Sequence, residues 1–187
     1  TISAYDPRYP KDNTRKAKYS FFVEGYMNVD YISRLIHTAL AENGTKETGS
    51  NVQKYGEWYG NNGQPWCAMF VSWCAYVAGI SESIVDYDQY TETQVQHFKK
   101  AGRAHTWSSV QRGEYTPLPG DIVYFLSASG AESGRTVNHV GIVTGFSNNT
   151  LYTIEGNTSS AYFATDGGCC SDKTYDISSS RVVYICS

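Results

Sequence analysis

Residues 67–78 read CAMFVSWCAYVA, a run whose apolar side chains cover most sides once it is wound into a helix. A helix apolar on nearly every side belongs inside a core. Pro65 stands just ahead of it and Gly79 directly behind, and a glycine there suits the left-handed residue that ends many helices. The stretch therefore predicts a central buried helix that opens on Cys67.

The neighbouring elements follow outward from that helix. Upstream, Ile32, Leu35, Ile36, Ala39 and Leu40 recur at helical spacing across residues 29–42, with Asp30 as a start signal and Asn43-Gly44 as a stop. Downstream, residues 92–100 read as an amphipathic helix ended by Gly102. The period then changes to two. Residues 118–121 (LPGD) form a turn before an apolar strand over 122–126. Strands over 137–146 and 151–155 are joined by a short hairpin at 147–149, and residues 182–185 make a last strand. Helices precede strands, so the predicted class is α+β, with N-terminal helices packed on an antiparallel β-sheet. Residues 43–66 carry Gly44, Gly49, Gly56, Gly60 and Gly63 without an apolar period, and are expected to form one long loop set with Tyr55, Trp58, Tyr59 and Trp66.

At 187 residues, with 41% hydrophobic and 18% charged side chains, the chain suits one globular domain with its own core. Residues 1–28, with Pro7, Pro10 and a basic cluster from Arg8 to Lys18, read as an arm or linker; residues 29–187 read as the domain. A net charge of −3 leaves no global basic field for nucleic acid, and no apolar run approaches the length of a membrane span. Five cysteines leave at least one unpaired thiol in a monomer, and their spacing matches no zinc site.

Cys67 opens the buried helix, where the macrodipole and free backbone N–H groups favour a thiolate, the reactive form. The competing reading is a small buried hydrophobe, and for Cys74, deeper in the same helix, that reading wins. Of the four histidines, His37, His97 and His105 fit surface or partly packed positions, whereas His139 begins the apolar strand HVGIV. Counted from the hairpin, His139 and Glu155 should meet across the ladder within about two residues of register. Asn157 falls two residues after Glu155 and is expected on the same face. Either side chain can accept from one imidazole nitrogen and leave the other facing Cys67. The competing reading is a cross-strand polar pair on a wet sheet face.

Taken together, GQPWCAMFVSWC, PGDIVYF, NHVGIVTG and IEGN resemble the motifs of the CHAP family, the cysteine- and histidine-dependent amidohydrolases/peptidases. The likeness runs in order over about residues 30–186, and the string ENGTKETGSNVQKYGEWYG is similar to the lead-in of a bacterial and phage branch. It implies a papain-like fold of the wider NlpC-type superfamily and hydrolysis of amide bonds in peptidoglycan. By resemblance, Cys67 is the nucleophile, His139 the base and Glu155 the residue that orients it, with Asn157 the polar residue that often follows. The expected enzyme is an endopeptidase of the stem peptide or cross-bridge; an N-acetylmuramoyl-L-alanine amidase with the same triad and an idle wall-binding module are the alternatives. Gln64 is a candidate oxyanion donor. Tyr55, Trp58, Tyr59 and Trp66 are read as lining a substrate groove or, with equal weight, as a minor core under the loop.

Some family members bind calcium through an acidic loop before the cysteine, but residues 51–66 here hold only Glu57 as an acid, so no metal or cofactor is expected. One of Cys169 and Cys170 is expected to pair with Cys186 across the last hairpin. The expected setting is secreted or wall-associated, as a monomer with a further domain upstream of Thr1. Three N-x-S/T sequons, at Asn43, Asn148 and Asn157, sit more comfortably with a bacterial or phage origin, since the last falls on the proposed site.

Overall fold

A computed structural model describes residues 31–159 and 167–187 of the chain. The basic arm expected at 1–28 lies outside the described residues. Helix α1 spans Tyr31–Ala41, α2 Lys54–Tyr59, α3 Cys67–Ala78 and α4 Thr91–Lys100. Strand β1 (Ala104–Thr106) and α5 (Trp107–Gln111) precede β2 (Ile122–Phe125), α6 (Ala128–Glu132), β3 (His139–Ser147) and β4 (Thr150–Thr158). Strands β5 (Cys169–Asp176) and β6 (Val182–Cys186) complete a six-stranded sheet in the order β1-β6-β2-β3-β4-β5, antiparallel at every pairing.

The expected α+β class is observed. Helix α3 is the helix read from 67–78, and it ends at Gly79 with φ of 82°, whose N–H bonds back into the last turn. Strand β2 is buried on both faces, and its alternation sorts two cores. Ile122 and Tyr124 join the larger cluster around α3, while Val123 and Phe125 join a smaller one with Trp107 and Val110 of α5. Helices thus cover both faces of the central strand.

Two expectations fail here, and one strand has no counterpart among those read from the sequence. Residues 43–66 are not one loop, because α2 forms within them: the Gln53 side chain caps its start by accepting from the Tyr55 and Gly56 N–H groups, and Gly60 closes it in the left-handed region. Strand β5 went unread, since its CCSDKTYD alternates small and polar groups on a sheet edge. The expected disulfide is also excluded by topology. Strands β5 and β6 are separated by β2, β3 and β4, and all five cysteines are free thiols.

Candidate active site

Three elements converge on one end of the sheet. Helix α3 presents Cys67 as its first residue, β3 presents His139 as its first residue, and β4 carries Glu155. The register pairs Glu155 with Gly141, two residues beyond His139, within the offset expected from the hairpin. Gly141 is needed there: a Cβ on it would lie 2.6 Å from Cγ of Glu155. Its missing side chain is the space that Glu155 occupies while reaching back toward His139. Gly156 does the same on the opposite face. A Cβ on it would fall 2.5 Å from Cβ of Phe70 and 2.8 Å from Cζ3 of Trp66, so β4 can lie against the first turn of α3 only as glycine.

His139 Nε2 donates to Glu155 Oε2 at 2.8 Å, and the imidazole is also hydrogen-bonded to Cys67. With Nε2 on the carboxylate, Nδ1 is the nitrogen left for the thiol. Burial pushes the imidazole down, but the hydrogen bonds to Cys67 and Glu155 and the charges of both outweigh it, and His139 is pushed up to about 10. Burial likewise pushes the Glu155 carboxyl up. The His139 hydrogen bond and charge, then the Thr153 and Tyr175 hydroxyls, reverse this and hold it below the ordinary carboxylate range. Thr153 Oγ1 donates to Glu155 Oε1 at 2.7 Å and Tyr175 OH at 2.9 Å, so both carboxylate oxygens of this buried group are satisfied. Phe125 packs between the rings, 5.6 Å from His139 and 4.8 Å from Tyr175.

Asn157 departs from its expected place. It does not share the face of Glu155, because the β4–β5 register shifts between Glu155 and Thr158 and Asn157 itself takes φ of 53°. With its amide turned so that both ends are satisfied, its oxygen accepts from the Trp66 N–H at 3.1 Å and its nitrogen donates to Gly167 O. Asn157 therefore ties the end of β4 to the residue just before Cys67 and leaves the imidazole to Glu155.

The aromatic residues before Cys67 resolve toward the second of their two readings. Tyr55 and Trp66 are 0% exposed and Trp58 is 7% exposed, so they are core and do not line a groove. Tyr55 stacks on Trp66 and meets Phe70 and Trp73 edge-on, each with ring centroids 5.2 Å apart. Tyr59, half-buried, packs against Trp58 in the same cluster. The cleft beside Cys67 is instead mixed in character, with Pro65 and Tyr90 among otherwise polar walls. It has a volume of about 230 Å³, and Gln64, Asn61, Gln89, Asn138 and Arg135 line it. Of these only Gln64 was singled out in the sequence; its amide lines the same cleft as the thiol.

Loops carry those walls, and side chains from α4 hold the loops. Buried Gln94 donates from Nε2 to the carbonyls of Asp86 and Asp88, at 3.1 and 2.9 Å, and so holds the segment before Gln89. Glu92 accepts from the Thr136 N–H and hydroxyl, both at 2.7 Å, and from the Val137 N–H at 3.1 Å. Asn138 is locked to Ser127 by a bond in each direction, and Asn61 donates to Gln89 across the cleft rim. Glycines, prolines and charge patterns do not announce such contacts, which is why sequence reasoning missed these residues.

A thiol, an imidazole and a buried carboxylate joined in series beside a cleft define a site suited to cysteine-dependent acyl transfer. The sequence matches the CHAP domain family over residues 58–157, more than half of the chain, and the chain belongs to that family. The matched stretch contains Cys67, His139, Glu155 and Asn157. No curated protein matches. Among solved structures, a protein similar to a lipoprotein of the NLP/P60 family from Staphylococcus aureus aligns at 17% identity and a TM-score of 0.42, over 86% of this chain and 42% of that one. Ly7917 aligns at 16% identity and a TM-score of 0.46, over 83% of this chain and 62% of that one. Ly7917 with the hydrolyzing product of MDP aligns at 16% identity and a TM-score of 0.43, with the same coverage. The chain spans less than two thirds of each of these structures, and likeness at this level identifies no shared function.

Proposed function

We propose that the chain is a peptidoglycan hydrolase that cleaves an amide bond of the stem peptide or cross-bridge through a thioester on Cys67. The observation that carries this reading is the series Cys67–His139–Glu155, whose thiol lines the cleft. Membership of the CHAP domain family supports the substrate class.

The geometry supports the following cycle. Cys67 Sγ, its proton passed to His139 Nδ1, attacks the carbonyl carbon of the scissile amide. The oxyanion that forms is met by the Cys67 backbone N–H, a first-turn donor with no partner inside the helix. The Trp66 N–H is engaged by Asn157 and is not such a donor. Gln64, lining the same cleft, supplies a second donor from its amide. As the tetrahedral intermediate collapses, the C–N bond breaks and His139 gives its proton to the leaving amine. Water then attacks the thioester, its proton goes to His139, the carboxylic acid departs and the thiol is restored. Glu155 holds the ring in one orientation and stabilises the imidazolium throughout.

Digestion of purified peptidoglycans of several chemotypes, with mass spectrometry of the fragments, tests the reading. Cut stem or bridge peptides mark an endopeptidase, the expected outcome. Alanine N-termini freed from muramic acid mark an amidase in its place. Cys67→Ala is expected to abolish release from every wall, and release that persists in it rules out the thioester route.

A further inference from the structure

Among the described residues, the cleft beside Cys67 has a single charged lining residue, Arg135; the other polar groups in its lining are carboxamides and hydroxyls. Among the described residues no acidic side chain lines it. The chain as a whole is net negative, at −3, so this cation is a local feature and not part of a general basic field that would draw any acidic polymer.

Arg135 is also unspent. Among the described residues its guanidinium takes part in no ion pair. Its backbone, by contrast, is fixed on both sides. The Arg135 N–H donates to Gly130 O at 3.0 Å behind α6, and the next residue is gripped by both carboxylate oxygens of Glu92. Thr91, which lines the cleft too, donates from its hydroxyl to Val137 O at 3.4 Å and fastens the same loop to the start of α4. Among the described residues, then, a planar cation with no ion-pair partner stands on a pinned backbone in the cleft that Cys67 lines. A guanidinium matches a carboxylate with two parallel hydrogen bonds and has no such match in a carboxamide.

We propose that Arg135 is a specificity residue that selects peptides bearing a free carboxylate close to the scissile amide over the same peptides with that group amidated. The inference rests on the peptidoglycan reading above and adds which form of the wall is cut. Three stem-peptide groups have this chemistry: the α-carboxyl of glutamate, the side-chain carboxyl of a diaminopimelate and the C-terminal carboxyl of alanine. The shared feature is the carboxylate, and the test separates the three sources.

The experiment uses the full chain and synthetic disaccharide-peptides in matched pairs, each pair differing by one carboxylate or its amide at one of the three positions. Cleavage of each is followed by chromatography, and the ratio of kcat/KM is taken within each pair. For one of the pairs the acid form is expected to be cut about tenfold faster or more, the worth of a hydrogen bond to a charged group. In Arg135→Gln that ratio is expected to fall to about one, in Arg135→Lys to an intermediate value, and in Arg135→Glu below one. Because each ratio is internal to one variant, a loss of folded protein cancels. Equal rates on all three pairs in the unmodified chain, or a preference that survives in Arg135→Gln, overturn the inference while leaving the hydrolase intact. No cleavage of any peptide in any pair overturns the peptidoglycan reading, and the selectivity falls with it.

Discussion

Around Cys67, the floor of the site is built by backbones packed against side chains, whereas its walls are loops tied down by hydrogen bonds from α4. On the floor, Gly156 admits Phe70 and Trp66, and Gly141 admits Glu155, at separations that leave no room for a methyl group. On the walls, Glu92 and Gln94 reach across to backbone groups of residues 136–137 and of Asp86 and Asp88. Close packing fails abruptly when an atom is added, while a loop that loses one bond loosens by degrees. Substitutions on the floor should therefore strike turnover or folding, and those on the walls should strike substrate affinity.

The largest effect is expected from Glu155→Gln, which removes the charge opposite His139 and keeps the shape. Loss of the group that fixes the imidazole is worth on the order of 10³–10⁴ in kcat. The pH profile should move as well. His139 is pushed up to about 10 in part by this carboxylate, so the alkaline limb of activity, which the proposed cycle assigns to the proton that His139 hands to the leaving amine, should shift to lower pH in the variant. The same linkage bears on stability. The contribution of His139, whose folded value is raised, is complete below its ordinary 6.5 and is lost as pH climbs through about 10. That of Glu155, whose folded value is depressed, is present above the ordinary 4.5 and is lost as pH falls through the lower one. Urea midpoints across pH, compared between the unmodified chain and Glu155→Gln, check both limbs. A midpoint profile that is unaltered by the substitution would place the stabilisation elsewhere.

Next comes Gly156→Ala. The added Cβ meets Cβ and Cγ of Phe70 and the Trp66 ring, none of which is a flexible end that can swing away. Overpacking of this kind costs about 3 kcal/mol, read as a lower urea midpoint with the m-value unchanged. A midpoint within error of the unmodified chain would mean that β4 and α3 yield, and the contrast between a rigid floor and pliable walls would be lost.

This contrast also governs what the sequence discloses. Glycines, alternating strands and an all-apolar helix are local patterns, and they carry the floor: α3, the β3–β4 hairpin, and the offset between His139 and Glu155 were all legible. Asn157 misled because alternation assumes an unbroken strand, and a register shift with a left-handed residue turned its side chain toward Trp66. The aromatics of residues 55–66 misled because proximity in sequence to Cys67 says nothing about side-chain direction, and α2 turns Tyr55 and Trp58 into the core. Glu92, Gln94, Thr153 and Tyr175 carry no signal in a single sequence, since each acts on a partner brought to it only by tertiary packing.

Glu92→Gln tests the walls. The substitution keeps one acceptor for the Thr136 and Val137 N–H groups but removes the charge that strengthens three bonds at once. About 1.5 kcal/mol is expected, seen as a rise in KM of roughly tenfold with kcat nearly kept, because the loop lines the cleft through Arg135 and Asn138 and supplies none of the Cys67–His139–Glu155 series. A fall in kcat without a change in KM would mean that the wall loop reaches the chemistry and would break the division drawn above.

The smallest effect should come from Tyr175→Phe, and it sharpens the comparison most. The Tyr175 hydroxyl donates to Glu155 Oε1, the oxygen that Thr153 also holds, while His139 is on Oε2. Removing it leaves no buried group without a partner, because Oε1 keeps Thr153 and the ring still fills the space against Phe125. The cost is that of one hydrogen bond, about 1 kcal/mol in stability. Its direction in catalysis is distinctive. A carboxylate relieved of one donor is a stronger acceptor toward His139, so the imidazole should rise slightly and the alkaline limb should move up, opposite to Glu155→Gln. Limbs that move oppositely in the two variants identify Tyr175 as a positioning residue acting through Glu155. A limb that moves down in both would mean that the hydroxyl acts by holding the carboxylate in place and not by sharing its charge.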